Sequence, residues 1–184
     1  EIKEYKKSME KKIDVTKFKC LKTLEGHSST VMSVAYSPNS TKIISGSSDK
    51  TIKIWDANTG QCLKTSERHS DWVNSVAYSP DGTKIISGSW DGTIKIWDVT
   101  KFKCLKTLEG HKYSVKSVAY SPDGRKIISG SGDYTIKIWD ANTGECLKTL
   151  IGHLPAVNSV AYSPDGTKIV SGGDDKTIKI WGEE

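Results

Sequence analysis

Four copies of one residue set in this chain carry the side chains of a nucleophilic active site. Each copy has a histidine, a serine and an aspartate, as in His27, Ser45 and Asp49. A serine beside a histidine that a carboxylate orients is the arrangement of hydrolases that form a covalent intermediate. An enzyme builds one such site with its own oxyanion hole, whereas this set recurs four times in near-identical surroundings. We therefore predict no catalytic residues and a protein that is not an enzyme.

The set belongs to a sequence unit that repeats every 42 residues. Histidine and tryptophan recur at this spacing, at His27, His69, His111, His153, Trp55, Trp97, Trp139 and Trp181. A complete unit contains four short runs that read, with small changes, SVAYS, KIISGS, TIKIWD and CLKTL. Pro, Asp, Asn and Gly separate these runs and favour tight turns. The pattern predicts an all-β fold of four-stranded antiparallel sheets, with no helix between Ile13 and Trp181.

Two residue pairs occupy fixed places in the units. They are Gly26-His27, Gly110-His111, Gly152-His153, Trp55-Asp56, Trp97-Asp98 and Trp139-Asp140. Over residues 14–181 the chain therefore resembles the WD-repeat β-propeller family, although Arg68 and Gly182 depart from the pairs. The resemblance implies that the sheets are blades of a propeller, stacked radially so that each covers the next.

The resemblance also implies a structural role for the repeated polar set. In the family's network the aspartate holds the histidine, the histidine meets a strand serine, and the tryptophan closes the chain of hydrogen bonds. Either Ser45 or Ser47 fits the serine position in the first unit. Carried over, the network is His27, Ser45, Asp49, Trp55, His69, Ser87, Asp91, Trp97, His111, Ser129, Asp133, Trp139, His153, Ser171, Asp175 and Trp181. Such a network satisfies each buried polar group only when its neighbours are in place.

The units differ mainly in two loops, one before the first strand and one between the second and third. In an antiparallel blade these loops lie at the same end, and propellers similar to this one bind partners there. Large exposed aromatics on a rigid scaffold favour such binding. The predicted partner-binding face comprises Trp72, Trp90, Tyr113, Tyr134, Asp71, Lys112, Lys116 and Met32. The alternative is drift in unconstrained loops, with the aromatics packed on neighbouring loops.

The last unit lacks its CLKTL strand, and residues 19–24 (KCLKTL) supply one at the other end of the chain. We predict that this strand completes the last blade, in cis or in trans. Four blades in a closed ring would each span a quarter-turn, whereas similar propellers favour rings of about seven or eight blades. We therefore expect a homodimer that closes an eight-bladed ring by strand exchange. The alternatives are a compact four-bladed monomer and a fragment that needs further repeats.

Composition excludes several classes of function. The net charge of +5 comes from lysines spread evenly along the chain, which disfavours nucleic-acid binding and favours a solvated surface. No apolar run reaches the roughly 18 residues of a membrane span, and no signal peptide is visible. The cysteines lie one repeat apart, at Cys20, Cys62, Cys104 and Cys146. We predict that they are reduced and buried, in a cytoplasmic, reducing compartment, and that the chain holds no metal or cofactor.

The 14–184 region is thus predicted to be four WD-repeat blades that act as a scaffold for an unidentified protein or peptide. The alternative is a structural, designed or recently duplicated repeat protein with no specific ligand. It is favoured by the identity of residues 14–27 and 98–111 at every position. Residues 1–13 form either a charged, solvated leader or a weak amphipathic helix with Ile2, Tyr5, Met9 and Ile13 on one face.

Overall fold

The structure is a computed structural model that describes residues 14–66 and 68–183. Its strands form four antiparallel sheets, which we number as blades in chain order. Blade 1 contains β1 (Val31–Tyr36), β2 (Lys42–Ser47), β3 (Ile52–Asp56) and β4 (Cys62–Thr65). Blade 2 contains β5 (Val73–Tyr78), β6 (Lys84–Ser89), β7 (Ile94–Asp98) and β8 (Cys104–Leu108). Blade 3 contains β9 (Val115–Tyr120), β10 (Lys126–Ser131), β11 (Thr135–Asp140) and β12 (Cys146–Ile151). Blade 4 contains β13 (Val157–Tyr162), β14 (Ile169–Gly173) and β15 (Ile178–Trp181). The prediction of an all-β fold with antiparallel blades is confirmed.

Side-chain hydrogen bonds shape the turn between the first two strands of each blade. In blade 2, Ser79 Oγ donates to Asp81 Oδ1 at 2.5 Å. Gly82 follows with a φ of 70°, in the left-handed region that glycine enters at little cost. In blade 1 the same positions are Asn39 and Ser40, and Ser40 has a φ of 58°. Blade 1 therefore carries a turn whose backbone would suit glycine better.

The core lies between the blades, not within any one of them. At the first boundary, Ile44, Ile52 and Ile54 of blade 1 share an apolar cluster with Val73 of blade 2. The approach is close, because a Cβ added to Gly46 would lie 2.7 Å from Val73 Cγ1. Burial of each isoleucine side chain stabilises the fold by about 1.5–3 kcal/mol. The same packing recurs between blades 2 and 3 and between blades 3 and 4, which orders the blades in one arc.

The segment before blade 1 is not paired with another strand within the single chain. Residues 19–24 do not form a strand, and β15 is the last strand of its sheet among the described residues. Pairing in cis is therefore not formed, because a strand needs a neighbouring edge to satisfy its backbone groups and the single chain does not bring that edge to it. The prediction of no helix is wrong in one place. Val15–Lys17 form a 3-10 turn, and Asp14 Oδ1 accepts the Thr16 N–H at its start. The leader or helix predicted for residues 1–13 lies outside the described residues.

The cysteines lie on the periphery of the arc. All four are free, and Cys20, Cys62 and Cys146 are exposed while Cys104 is partly buried. The prediction that they are buried is wrong, because the outermost strand of a blade pairs on one side only and turns the start of its CLKT run toward solvent. In the part of the chain that the structure describes, no helix is long and apolar enough to cross a membrane.

Candidate functional site

The histidine, serine, aspartate and tryptophan of each repeat are brought together in one hydrogen-bonded chain. In blade 1, His27 Nδ1 lies 2.7 Å from Asp49 Oδ2, and His27 Nε2 lies 2.7 Å from Ser45 Oγ. Trp55 Nε1 donates to the same Ser45 oxygen at 2.8 Å. Ser47 is engaged elsewhere, since its hydroxyl donates to the Ser29 carbonyl. The serine of the chain is therefore Ser45.

The other three repeats show the same contacts. The histidine-aspartate distances are 2.9, 2.8 and 2.8 Å, in the pairs His69-Asp91, His111-Asp133 and His153-Asp175. The histidine-serine distance is 2.7 Å in each of the pairs His69-Ser87, His111-Ser129 and His153-Ser171. The tryptophan-serine distance is 2.8 Å in each of the pairs Trp97-Ser87, Trp139-Ser129 and Trp181-Ser171. All sixteen residues therefore occupy equivalent places.

The chemistry of the partners gives each chain of hydrogen bonds a direction. The carboxylate can only accept, so histidine Nδ1 carries the N–H of the neutral imidazole and donates it to the aspartate. Histidine Nε2 then accepts from the serine hydroxyl, and the serine oxygen accepts the indole N–H of tryptophan. All four serines are at most 3% exposed. A substrate would have to displace tryptophan or histidine to reach the hydroxyl, so the arrangement suits cohesion of the blade better than nucleophilic attack.

Burial and hydrogen bonding set the charges in these chains. Burial lowers the pKa of His111, and the hydrogen bond and charge of Asp133 offset only part of that shift. Burial alone would raise the pKa of Asp133, but hydrogen bonds from Thr135, Lys112 N–H and His111 outweigh it and lower the pKa to about 2. The network in blade 3 therefore holds a carboxylate beside a neutral imidazole at neutral pH.

The two variable loops of each repeat lie at the same end of the strands and are hydrogen-bonded to each other. In blade 2 the Trp90 N–H donates to the Trp72 carbonyl at 2.9 Å. The two indole rings lie 5.2 Å apart at 45°, yet 42% of Trp72 and 52% of Trp90 stay exposed. Tyr113 and Tyr134 of blade 3 are exposed as well. Four large aromatic side chains thus remain accessible on a backbone that hydrogen bonds hold in place.

A groove of about 540 Å³ runs across this end of blades 2, 3 and 4. Of the predicted face, Trp90, Lys112, Tyr113, Lys116 and Tyr134 line it. Trp72 is not part of this lining but its ring contacts that of Trp90 at a tilted angle. We call these six residues the aromatic loop face.

The other two residues of the predicted partner-binding face, Asp71 and Met32, are not part of the aromatic loop face. Asp71 Oδ1 accepts the Trp72 N–H at 2.8 Å, so it shapes the loop that carries Trp72. Met32 lies on β1 and does not line the groove.

Two groups that contact Lys116 were not predicted from the sequence, namely Asp174, which lines the groove, and the neighbouring Asn158. Lys116 Nζ donates to Asn158 Oδ1 at 2.7 Å and lies 3.9 Å from Asp174 Oδ2. Both partners belong to blade 4. The signal was present in the sequence, because Asp174 stands in the variable loop of the last repeat, but only the stacking of blades brings it to Lys116. The charge of Lys116 is thus engaged, whereas Lys112 is exposed at the groove.

A second groove, of about 500 Å³, lies on the face of blade 1 that points away from blade 2. Residues 24–27 form one side of it, and Val31, Val34, Ile43 and Trp55 form the other. Its lining combines these apolar side chains with the polar residues Glu25, His27, Ser29 and Ser45. Within residues 14–66 and 68–183, no group of three or more His, Cys, Asp or Glu side chains is placed to hold a metal ion.

Comparison with known proteins places these features in a family. Residues 11–182 match the family model described as the WDR3 first beta-propeller domain. The vegetative incompatibility protein HET-E-1 of Podospora anserina is 58% identical over 41 residues, which is 22% of this chain and 3% of that protein. The transcriptional repressor rco-1 of Neurospora crassa is 48% identical over 42 residues, 23% of this chain and 7% of that protein. Protein Mut11 of Chlamydomonas reinhardtii is 44% identical over 43 residues, 23% of this chain and 12% of that protein. Each alignment is about one repeat long, and the chain spans a small part of each relative.

Proposed function

Because the chain belongs to the WD-repeat β-propeller family, we propose that it is a non-enzymatic scaffold that binds a protein or peptide through its aromatic loop face. The observation that carries the proposal is the exposed Trp72–Trp90 pair on a hydrogen-bonded loop pair. Tryptophan and tyrosine contribute most strongly at interfaces because they bury a large area while few rotatable bonds are immobilised. The fully engaged, buried serines support a structural role for the sixteen network residues and disfavour catalysis.

The groove favours a partner with an apolar side chain flanked by polar groups. Trp90, Tyr113 and Tyr134 offer apolar faces, while Lys112 presents a positive charge beside them. Asp71 and Met32 lie outside this groove, and we propose that they contact the edges of a larger partner. The chain carries mixed charges on this face, with Asp174 opposite Lys116. This mixture favours a protein surface over the uniformly negative backbone of a nucleic acid.

The test is capture of a partner by the double variant Trp72→Ala/Trp90→Ala. We expect the variant to fold as the wild type does, because both indoles are outside the core, and to lose partner capture. The matched control is Leu63→Ala/Leu147→Ala, which removes two exposed apolar side chains from outer strands. Unchanged capture by the tryptophan variant, or equal loss in both variants, would contradict the proposed face. If the wild type captured no partner, the result would favour the alternative hypothesis of a repeat protein without a specific ligand. The near-identity of the repeats supports that hypothesis.

We also propose that two chains close an eight-bladed ring, with residues 19–24 of each copy completing blade 4 of the other. Two features support this assembly. Blade 4 has three strands where blades 1–3 have four, and the apolar faces at both ends of the arc are exposed. The four free thiols further favour a reducing, cytoplasmic location, because exposed thiols in an oxidising compartment form intermolecular disulfides.

A further inference from the structure

The three boundaries between blades share one steric contact. A glycine in the second strand of one blade receives two valines from the first strand of the next. A Cβ added at these glycines would lie 2.6–3.0 Å from valine Cγ1 atoms, in the sets Gly46 with Val73 and Val76, Gly88 with Val115 and Val118, and Gly130 with Val157 and Val160. Side chains essentially never approach so closely, so each boundary requires glycine there.

The boundaries also share one hydrogen bond. The N–H of the second valine donates to a serine hydroxyl on the preceding blade. The distances are 3.2 Å for Val76 to Ser33, 3.1 Å for Val118 to Ser75, and 3.2 Å for Val160 to Ser117. Together, the glycine and the serine on one side and the valine pair on the other define how two blades recognise each other.

The two ends of the arc each present one half of this contact. At the blade 4 end, Gly172 has nothing within 4 Å of its added Cβ, and Ser159 stands at the position of the accepting serine. At the blade 1 end, Val31 and Val34 are 48% and 65% exposed, whereas their counterparts Val73 and Val76 are 0% and 5% exposed. Ile178 and Ile180 of blade 4 are also exposed, whereas the equivalent isoleucines at the internal boundaries are buried, apart from the partly buried Ile138. The ends are therefore complementary to each other.

The segment before blade 1 already lies where the outer strand of a preceding blade would lie. Leu24 Cδ1 is 3.6 Å from the added Cβ of Gly60, just as Leu108 Cδ1 is 3.6 Å from that of Gly144. Lys22 Nζ donates to the Asn58 carbonyl, as Lys64 Nζ of β4 donates to the Thr100 carbonyl of blade 2. Between this segment and β1 lies the groove of about 500 Å³. A segment thus lies at the place of an outer strand, and no strand among the described residues pairs with it.

We propose that blade 4 of a second copy of this chain fills the groove. Among the described residues blade 4 has three strands. Together with the segment 19–24 they would make a four-stranded blade like the others. Val170, Ile178 and Ile180 of the second copy occupy the groove as Ile44, Ile52 and Ile54 occupy the boundary between blades 1 and 2. Val31 and Val34 then cover Gly172, the Val34 N–H donates to Ser159 Oγ, and residues 19–24 pair with β15. The inference rests on the eight-bladed ring proposed above and adds the contacts that close it.

The glycine offers a substitution that acts on this contact alone. Gly172→Ala adds a Cβ where the single chain has open space, so the variant chain should fold as the wild type does. In the dimer the same Cβ meets the methyl groups of Val31 and Val34. Overpacking of this kind weakens an interface by about tenfold or more. A ring of two copies has two such interfaces, so we expect the dimer dissociation constant to rise by about a hundredfold.

The experiment measures native mass over a concentration series by sedimentation or light scattering. The wild type should give about 40 kDa, twice the chain mass of 20.2 kDa, and Gly172→Ala should give the single-chain mass at the same concentration. The matched control is Gly182→Ala on the same blade, where the other repeats carry aspartate and a Cβ is accommodated. As a rescue, Gly172→Ala mixed with Val31→Ala/Val34→Ala should restore dimers, because the pair forms one native and one relieved interface.

The outcomes distinguish failure of the eight-bladed ring from failure of the contacts inferred to close it. A wild type of about 20 kDa at all concentrations, or one that grows beyond two copies, would overturn the eight-bladed ring. A wild-type dimer that Gly172→Ala leaves unchanged would overturn the contacts inferred here while the ring stands. If Gly172→Ala and Gly182→Ala weakened the dimer equally, the inferred contacts would likewise be overturned while the ring stands.

Discussion

Substitution of Ser129 by alanine measures how much one buried network contributes to stability. Ser129 is 0% exposed, and its hydroxyl lies between His111 Nε2 at 2.7 Å and Trp139 Nε1 at 2.8 Å. Without it, a buried indole N–H loses its acceptor and a buried imidazole nitrogen loses its donor. Each unsatisfied buried group costs about 1–3 kcal/mol, so with two such groups the free energy of unfolding should fall by about 2–6 kcal/mol. The assay is urea unfolding followed by circular dichroism at one fixed protein concentration, with the midpoint and slope both reported.

Ser171→Ala is the internal control for this prediction. Ser171 makes the same two hydrogen bonds at the same distances, but its partner Trp181 is only partly buried whereas Trp139 is buried. In the single chain, water can therefore replace part of what is lost, and at protein concentrations below the dimer dissociation constant the cost should be roughly half or less of that at Ser129. A loss below about 0.5 kcal/mol at Ser129, or an equal loss at both sites, would refute the view that burial of the network holds the loops to the blades.

Two further predictions concern the blade 3 network and the first turn. Burial lowers the pKa of His111 below its unfolded value of about 6.5, so the folded state favours the neutral imidazole. The stability that the neutral His111 contributes is therefore present above about pH 6.5 and is lost as the pH falls through the lowered pKa. The urea midpoint should thus be lower at pH 5 than at pH 7.5. It should decrease further toward pH 2 as Asp133 is protonated. A midpoint that rises on acidification to pH 5 would contradict a neutral His111 in the folded state. Ser40→Gly should raise stability by about 1 kcal/mol because Ser40 has a φ of 58° where the other repeats carry glycine; thermal unfolding checks it, and an unchanged or lower melting temperature would show that the turn is not strained.

Much of the fold is predictable because each repeat is built from short-range signals. The alternation in KIISGS and TIKIWD and the Pro-Asp-Gly turns specify strands and reversals locally, and the 42-residue period shows that the units stack. The choice between Ser45 and Ser47 needed the structure, because positions two residues apart in a strand point to the same face, and the pattern alone does not say which serine lies between His27 and Trp55.

Other features depend on neighbours that lie far away in sequence. Residues 19–24 have the composition of a strand, yet a strand forms only when an edge is available to pair with it. The exposure of Cys62 follows from its place on the outermost strand, which no local pattern marks. The contact of Lys116 with Asp174 joins two blades through residues far apart in the chain. These features follow from the order of the blades, which composition and periodicity do not describe.

The most direct test of the scaffold function is the amount of partner retained by Trp72→Ala/Trp90→Ala relative to wild type, at equal amounts of folded protein. Interface tryptophans of this kind contribute about 2 kcal/mol or more each, so retention should fall by more than about tenfold while the Leu63→Ala/Leu147→Ala control keeps its partner. Retention by the tryptophan variant equal to that of the wild type would contradict the account.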